Sequence, residues 1–289
     1  MDSDVDDFYD RAFSRNRGLI NEHEQQKIKN TRVAIAGMGG MGGMHAATLA
    51  RTGIGKFTIA DFDCFEIHNI NRQYGATVST IGQDKAQVMA AIIKDINPSA
   101  EVTVINAAIG PDNMDQFLSD ADVVIDGLDI FVLPARRLML KQAKIQGLPV
   151  FAAAPIGFST MLSLYSPDGM DFDSFFDIDD SMSEKEMIVA MFACIPWGPQ
   201  FKYTDVDMLD SQTGGTPVVT TATQLGAGMI AAEVVKYVLG IPGMKAMPRF
   251  MQFDPYVRQF KHHHNWFGGK NPLFKLKKRL VKKLMPHLV

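Results

Sequence analysis

Arg32-Val-Ala-Ile-Ala-Gly37-Met-Gly39-Gly40-Met-Gly42 is the stretch that decides the fold. A short β-branched run closes on glycine and gives way, from Met41 to Thr52, to helical spacing. In that strand, loop and helix context a glycine-rich turn is credible as a nucleotide loop. The glycines let the backbone turn tightly and approach a phosphate or ribose, and the helix behind them offers unpaired amide N–H groups to an anion. Nineteen residues beyond Gly42, at the end of the strand candidate Lys56-Phe-Thr-Ile-Ala-Asp61, stands Asp61. Dinucleotide-binding folds place a carboxylate there to accept hydrogen bonds from ribose hydroxyls. Loop and acid together predict a bound nucleotide.

The same alternation continues outward. Helical spacing runs from Ile81 to Ile96, a strand from Glu101 to Asn106 and a short helix from Asp112 to Leu118. A strand from Ala121 to Asp126, a helix from Leu133 to Gln146 and a strand from Leu148 to Ala153 follow, with Thr160 to Tyr165 a candidate for one more. Strands and helices alternating across short connections predict a Rossmann-like, doubly wound α/β fold with a mainly parallel sheet and helices on both faces. Between Asp168 and Asp210 eleven acidic residues face only Lys185 and Lys202, with Phe172, Phe175, Phe176, Phe192, Trp197, Phe201 and Tyr203 interspersed. This acidic crossover excursion is either a mobile lid that docks through its aromatics or a small ordered subdomain. Pro217 to Leu239 predicts a helix, with Pro near its start and Gly240 just past its end. It is apolar almost all round and therefore buried in the core or in a dimer interface. The expected divisions are an N-terminal helical arm over 1–30, the nucleotide-binding core over 31–165, the excursion over 166–216, the last core helix and strands over 217–260, and a basic tail over 261–289.

The chain has 289 residues, 46% apolar and 21% charged, which excludes a disordered tail protein. Its net charge of −3 hides a split: nine of the 29 Lys and Arg lie after Asp254, where no acid occurs, leaving −12 on the first 254 residues. From Pro272 to Met285, Leu273, Leu276, Leu280 and Leu284 fall on one helical stripe, with Lys and Arg over the rest. Residues 272–285 therefore suit an anionic membrane surface, an acidic partner, or packing within the protein itself. His262-His263-His264 predicts a polar loop, since three adjacent side chains cannot converge on one ion in regular structure. Cys64 and Cys194 are too few for a disulfide scaffold or a structural zinc, and the acidic start is not a signal peptide. The apolar run Pro149 to Tyr165 is broken by Pro155 and Gly157 and does not span a bilayer. A cytoplasmic protein is expected, with peripheral membrane contact left open by the tail.

Which nucleotide is bound follows from cations. Asn69, Arg72 and Gln73 come just after Asp61-Phe-Asp63, and Gly82-Gln-Asp84-Lys85 opens a helix. An oxidoreductase has no chemical need for Arg72 and Lys85 there, whereas an enzyme that expels pyrophosphate from ATP needs charge neutralised on the β and γ phosphates. Asn69 suits the ribose or α-phosphate region, and Asp129, after the strand ending at Asp126, suits Mg²⁺. An NAD- or FAD-linked oxidoreductase rests on the glycine loop and Asp61 alone, and a non-catalytic nucleotide-binding scaffold is the third alternative.

Ser14-Arg-Asn-Arg17-Gly-Leu-Ile, the glycine loop, Asp61-Phe-Asp63, Asn69-Ile-Asn-Arg72-Gln73, Gly82-Gln-Asp-Lys85, Ile96-Asn97-Pro98 and Asp126-Gly-Leu-Asp129 together resemble the ThiF/MoeB/HesA adenylating enzymes, relatives of ubiquitin-activating enzyme. The match runs in order over about residues 11 to 165, and the helix from Pro217 resembles the family's last helix. The resemblance implies that Gly37, Gly39, Gly40, Gly42, Asp61, Asp63, Asn69, Arg72, Gln73 and Lys85 bind ATP. It implies Mg²⁺ at Asp129, catalytic roles for Arg17, Arg72, Lys85 and Asp129, and a homodimer in which Arg17 reaches the partner's triphosphate. The implied substrate is the C-terminus of a ubiquitin-like or carrier protein, or a small-molecule carboxylate; a branch acting on a modified tRNA base is also implied.

Two departures matter. Family members often carry a zinc site of two Cys-X-X-Cys pairs, which is absent here, so packing must order the region after Tyr165. Many relatives place a cysteine in the crossover before the last helix, but Asp210-Ser211-Gln-Thr213-Gly-Gly-Thr-Pro217 has no thiol. Cys194 sits in an apolar setting that suits an inert buried thiol, so chemistry is expected to stop at the acyl-adenylate.

Overall fold

The computed structural model describes residues 2–195, 198–205 and 216–284. Trp197, residues 210–215 of the thiol-free crossover and the tail beyond 284 lie outside them. Two helices lead in, α1 (Asp2–Ala12) and α2 (Glu22–Asn30). The second opens on a capping box in which the Asn21 and Glu24 side chains satisfy each other's backbone N–H groups. Alternation follows as β1 (Arg32–Ala36), α3 (Gly40–Thr52), β2 (Lys56–Ala60), α4 (Lys85–Ile96), β3 (Glu101–Ile105), α5 (Met114–Leu118), β4 (Val123–Asp126), α6 (Leu133–Ile145) and β5 (Val150–Ile156). β6 (Ser159–Tyr165), α7 (Phe172–Phe176), α8 (Glu184–Cys194), α9 (Thr220–Leu239), β7 (Arg249–Asp254), β8 (Gln259–His264) and α10 (Pro272–Leu284) complete the chain.

One sheet holds all eight strands in the order β3-β2-β1-β4-β5-β6-β7-β8. The first five pair in parallel and the last three add antiparallel. β1 and β4 are buried on both faces, as parallel strands covered by helices must be. Val33, Ile35, Phe57, Ile59, Val123 and Ile125 pack under the helices on one face, and Ala34, Ala36, Ala60 and Val124 meet those on the other.

Several boundaries differ from the sequence expectation. α4 begins at Lys85 rather than Ile81, because Gly82 turns at φ +83° and Asp84 is the N-cap. α9 begins at Thr220 because the residues before it run extended beside the β5–β6 turn: Gly157 N–H donates to Pro217 O at 2.7 Å and Val219 N–H to Gly157 O at 3.2 Å. His262, His263 and His264 form no loop; they lie on the edge strand β8, where each pairs with a residue of β7. An edge strand is paired on one side only, so a polar run can form it.

The acidic segment carries α7 and α8, and its acids have local work. Asp171 caps α7, Ser183 and Glu186 form the capping box of α8, and Asp173 receives two hydrogen bonds from Arg137 of α6 at 2.8 and 2.6 Å. Asp177 pairs with Lys278 of α10 at 3.4 Å. α10 docks beside α8 through Phe274 and Val281, which are buried, while Leu273, Leu276 and Leu280 stay 68%, 64% and 42% exposed.

Candidate active site

β1 and β4 lie side by side while their connections run to opposite sides, and such a switch point opens a crevice at the carboxyl ends of the strands. The glycine loop fills that end. Gly37 adopts φ +84°, and a Cβ there would stand 2.8 Å from the Gly127 carbonyl oxygen, so only glycine fits between the two strand ends. Gly37 N–H donates to Ala60 O at 2.7 Å and Gly127 N–H to Ala36 O at 2.9 Å, locking three strand ends together. Asp61 is buried beneath the loop. Its carboxylate receives the Met38 N–H at 2.6 Å and the Asp63 N–H at 2.8 Å, so it sets the loop's shape. Gly39 and Gly40 border the space over the loop beside Gln73 and Arg72, whose side chains a Cβ on either would meet in ordinary contact at 3.6 Å. Gly42 does not line that space: a Cβ on it would collide with the Gly37 carbonyl oxygen, so its place in the motif is packing of α3 against the loop rather than ligand contact.

A cavity of about 670 Å³ opens over the loop, lined by Gly37, Gly39, Gly40, Asp61 and Asp63, and by Asn69, Arg72, Gln73, Lys85 and Asp129. Lys85, the first residue of α4, is held by Asp63 twice: its backbone N–H donates to Asp63 O at 2.9 Å and its Nζ to Asp63 Oδ2 at 3.1 Å. Arg72 donates through Nη1 to His68 O and to Asn71 Oδ1, both at 3.0 Å, and among the described residues it forms no ion pair. Burial pushes its pKa down, against the pull of Asp129. Asn69 is buried, with Oδ1 accepting the Glu66 N–H at 3.0 Å. Gln73 is buried too, and its Oε1 has no hydrogen-bond partner among the described residues. Asp129 reaches into the cavity with Oδ1 accepting the Phe131 N–H at 3.1 Å. Desolvation raises its pKa, opposed by that N–H and by Arg136, Arg72 and Lys85.

Arg136 is a residue that sequence reasoning missed. Its Nε donates to Asp126 Oδ2 at 2.7 Å, its Nη2 to Leu128 O at 2.7 Å and its Nη1 to Ile130 O at 3.2 Å, so it fixes the whole turn that presents Asp129. The signal was available: an acid ending a fully buried strand needs a cation, and α6 supplies Arg136 and Arg137 in its opening turns. Arg17, by contrast, is exposed beside α1 and α2 and does not line the cavity of its own chain. Cys64 donates to Asp84 Oδ1 at 3.3 Å. Cys194 is buried, and desolvation pushes its thiol up to about 12.

Fold and site define a doubly wound nucleotide-binding α/β protein with Arg72, Lys85 and Asp129 gathered at its switch point. The chain belongs to the ThiF family, whose sequence model matches residues 13–270. It is 41% identical over 118 residues to a tRNA threonylcarbamoyladenosine dehydratase of Bacillus subtilis, a match covering 40% of this chain and 46% of that protein. It is 29% identical over 150 residues to the SAMP-activating enzyme E1 of Haloferax volcanii, covering 52% and 55%. The matches thus span about half the length of these relatives. Among solved structures, Escherichia coli MccB in complex with AMPCPP and MccA superposes with a TM-score of 0.66 over 89% of this chain and 71% of that one, at 18% identity, which is a likeness of fold.

Proposed function

We propose that this chain is an ATP-dependent adenylyltransferase that activates a carboxylate, the C-terminus of a ubiquitin-like or carrier protein or of a peptide, as an acyl-adenylate with release of pyrophosphate. The observation that carries this reading is the convergence of Arg72, Lys85 and Asp129 on one cavity over a glycine loop. Hydride transfer has no use for that cluster, and pyrophosphate expulsion does.

The residues fit the nucleotide. The orphaned Gln73 Oε1 is an acceptor awaiting an N–H or O–H, and Gly39 and Gly40 keep the loop's backbone bare where it lines the cavity. In the reaction a carboxylate oxygen bonds to the α-phosphorus. The bond from that phosphorus to its bridging oxygen breaks, and the electron pair leaves with pyrophosphate. Arg72 and Lys85 stabilise the charge gathering on the leaving group, and the amides opening α3 hold the phosphate in line. No general base is needed, because a carboxylate is already ionised at pH 7. Asn69 and Asp61 border the ribose and α-phosphate region. Asp129 is the residue that would hold Mg²⁺, which adds positive charge where negative charge builds. No group of three or more His, Cys, Asp or Glu forms a metal cage among the described residues, so the other ligands would be phosphate oxygens and water. The buried, high-pKa thiol of Cys194 supports a reaction that ends at the adenylate.

The test is ATP–pyrophosphate exchange screened against small proteins encoded nearby, with Asp129→Ala beside the wild type. Exchange is expected with the wild type and lost in the variant; exchange that survives Asp129→Ala removes the metal assignment. The exposed Arg17 supports a homodimer in which it serves the partner's site. Mixing inactive Arg17→Ala and Asp129→Ala chains should then restore exchange, and no restoration would return Arg17 to a local role. The exposed leucines of α10, flanked by Lys275, Arg279 and Lys282, support contact with an anionic membrane surface. Sedimentation with phosphatidylglycerol vesicles, absent with phosphatidylcholine vesicles, checks it.

A further inference from the structure

The cavity over the glycine loop does not end at Asp129. It continues between the sheet and helices α7 and α8, where Tyr165, Phe172, Phe176, Met191, Cys194 and Phe250 also line it. The register of the sheet explains why room exists there. Asp126 pairs with Ala152, Ala152 with Ser163 and Ser163 with Phe250, so these four stand in one row on one face across β4, β5, β6 and β7. The two middle members are small, and the neighbouring pair on that face is Ala154 with Met161. A floor of Ala and Ser beneath a roof of Phe and Met leaves a chamber.

Burial across these two strands says the same. On the face under α9, Phe151, Ala153, Leu162 and Leu164 are all buried. On the other face Ala152, Ala154, Met161, Ser163 and Tyr165 are only partly covered, although α7 and α8 lie across from them. Interior strands whose small side chains remain uncovered beneath a helical layer border a void, since protein interiors otherwise pack to crystal density. Tyr165 sharpens the point. It is deep enough that burial raises its hydroxyl pKa, yet part of its surface is uncovered. The roof is pinned by the two hydrogen bonds from Arg137 to Asp173 and by the edge contact of Phe172 on Phe176, with ring centroids 4.7 Å apart.

The chamber's mouth is where the substrate carboxylate must lie. Asp126 at the end of the row carries the turn that presents Asp129, and Arg136 already satisfies the Asp126 charge, so the wall beyond it is apolar. Given carboxylate adenylation, on which this step rests, we infer that the chamber is the acyl compartment: it takes a bulky apolar group, of aromatic size, attached next to the substrate's carboxyl. A terminus ending in Gly-Gly would leave the space unfilled. Apolar pockets lined by aromatic side chains with a few polar groups at one end are the ordinary form of such sites.

The experiment is ATP–pyrophosphate exchange by the full chain with acetate, glycylglycine, 3-phenylpropionate and a tripeptide ending in Phe. Apolar filling of a pocket discriminates by roughly tenfold or more, so KM for the aromatic acids should lie at least about tenfold below that for acetate or glycylglycine. A preference for 3-phenylpropionate assigns the chamber to a free acid, and a preference for the tripeptide to the last residue of a peptide. Ala152→Leu and, separately, Ala154→Leu should erase the aromatic preference while ATP binding, exchange with acetate and melting temperature are kept. Exchange that is equal across the panel, or best with glycylglycine, overturns the acyl compartment and leaves adenylation standing. Bound ATP with no exchange for any carboxylate, a nearby carrier protein included, overturns both.

Discussion

Two charged clusters stand a few residues apart at the switch point, and they are built on opposite plans. Asp126 and Arg136 are both buried, paired through Nε at 2.7 Å and Nη2 at 3.3 Å, and the guanidinium also donates to the Leu128 and Ile130 carbonyls. That cluster is closed: its two charges meet each other and the backbone of their own turn, and so hold that turn in place. Arg72 and Asp129 share the neighbouring cavity, and neither has an ion pair among the described residues; Lys85 keeps one partner, the half-exposed Asp63. That cluster is open. The contrast teaches where to look for function in such a site: charges already saturated by protein define geometry, and charges held near one another without saturation are reserved for something that arrives.

The sharpest way to break the comparison is to open the closed cluster. Arg136→Ala leaves the Asp126 carboxylate buried without its cation and should destabilise the fold by about 3–5 kcal/mol, read as a fall in melting temperature and urea midpoint. A loss of exchange with no loss of stability would put Arg136 in the open group instead. The opposite variant, Arg72→Ala, should leave the urea midpoint near wild type and slow exchange by roughly 10²–10³-fold, the usual cost of removing one preorganised donor from a developing charge. Equal stability losses in the two variants would erase the distinction.

His45 provides a third plan, a titratable group buried with neither ring nitrogen partnered among the described residues. Burial lowers its pKa from 6.5 to about 3, so the folded chain holds it neutral while the unfolded chain takes up a proton first. Stability is therefore complete above pH 6.5 and falls as the pH drops toward 3, by about 1.4 kcal/mol per pH unit at the steepest. Between pH 7 and pH 5 this amounts to about 2 kcal/mol, and His45→Met should remove that part of the slope in urea denaturation. An unchanged slope would mean the imidazole finds a partner in solution.

The parallel half of the fold was legible in the sequence because its strands are continuous β-branched runs ending on glycine or acid, and the helix spacing between them is unambiguous. Asp61 and Asp129 lie just past strands and Lys85 opens a helix, which made them legible, whereas Arg72 sits in a turn after the 3-10 helix Ile67–Asn69 and stood out only within Asn69-Ile-Asn-Arg72-Gln73. What stayed hidden depends on contacts between distant segments. Gly42 reads as a ligand glycine until the Gly37 carbonyl is seen against it, and nothing marks Arg136 until Asp126 is seen to be buried. The three histidines of β8 carry no alternating pattern because an edge strand need bury neither face. α10 offers two apolar faces. The leucine stripe left membrane, partner and internal packing open, and the helix docks instead through Phe274, Val281 and the Lys278–Asp177 pair, which no periodicity announces.

The smallest expected effect tests the open cluster from within. Asp129 has its pKa raised first by desolvation, against the lowering influence of the Phe131 N–H, Arg136, Arg72 and Lys85. It must be ionised to hold a cation, so the acid limb of exchange should lie above the ordinary carboxylate range rather than within it. Removing one of the cations that favour the ionised form, in Arg72→Met, should carry the limb to higher pH still, on top of the fall in rate. Removing Arg136 would shift it too, but at the cost of the turn, so Arg72→Met is the cleaner probe. A limb that stays in place while the rate falls would show that Arg72 acts on the leaving phosphates alone and does not share its field with Asp129. The two charges would then be neighbours in the cavity without being one cluster.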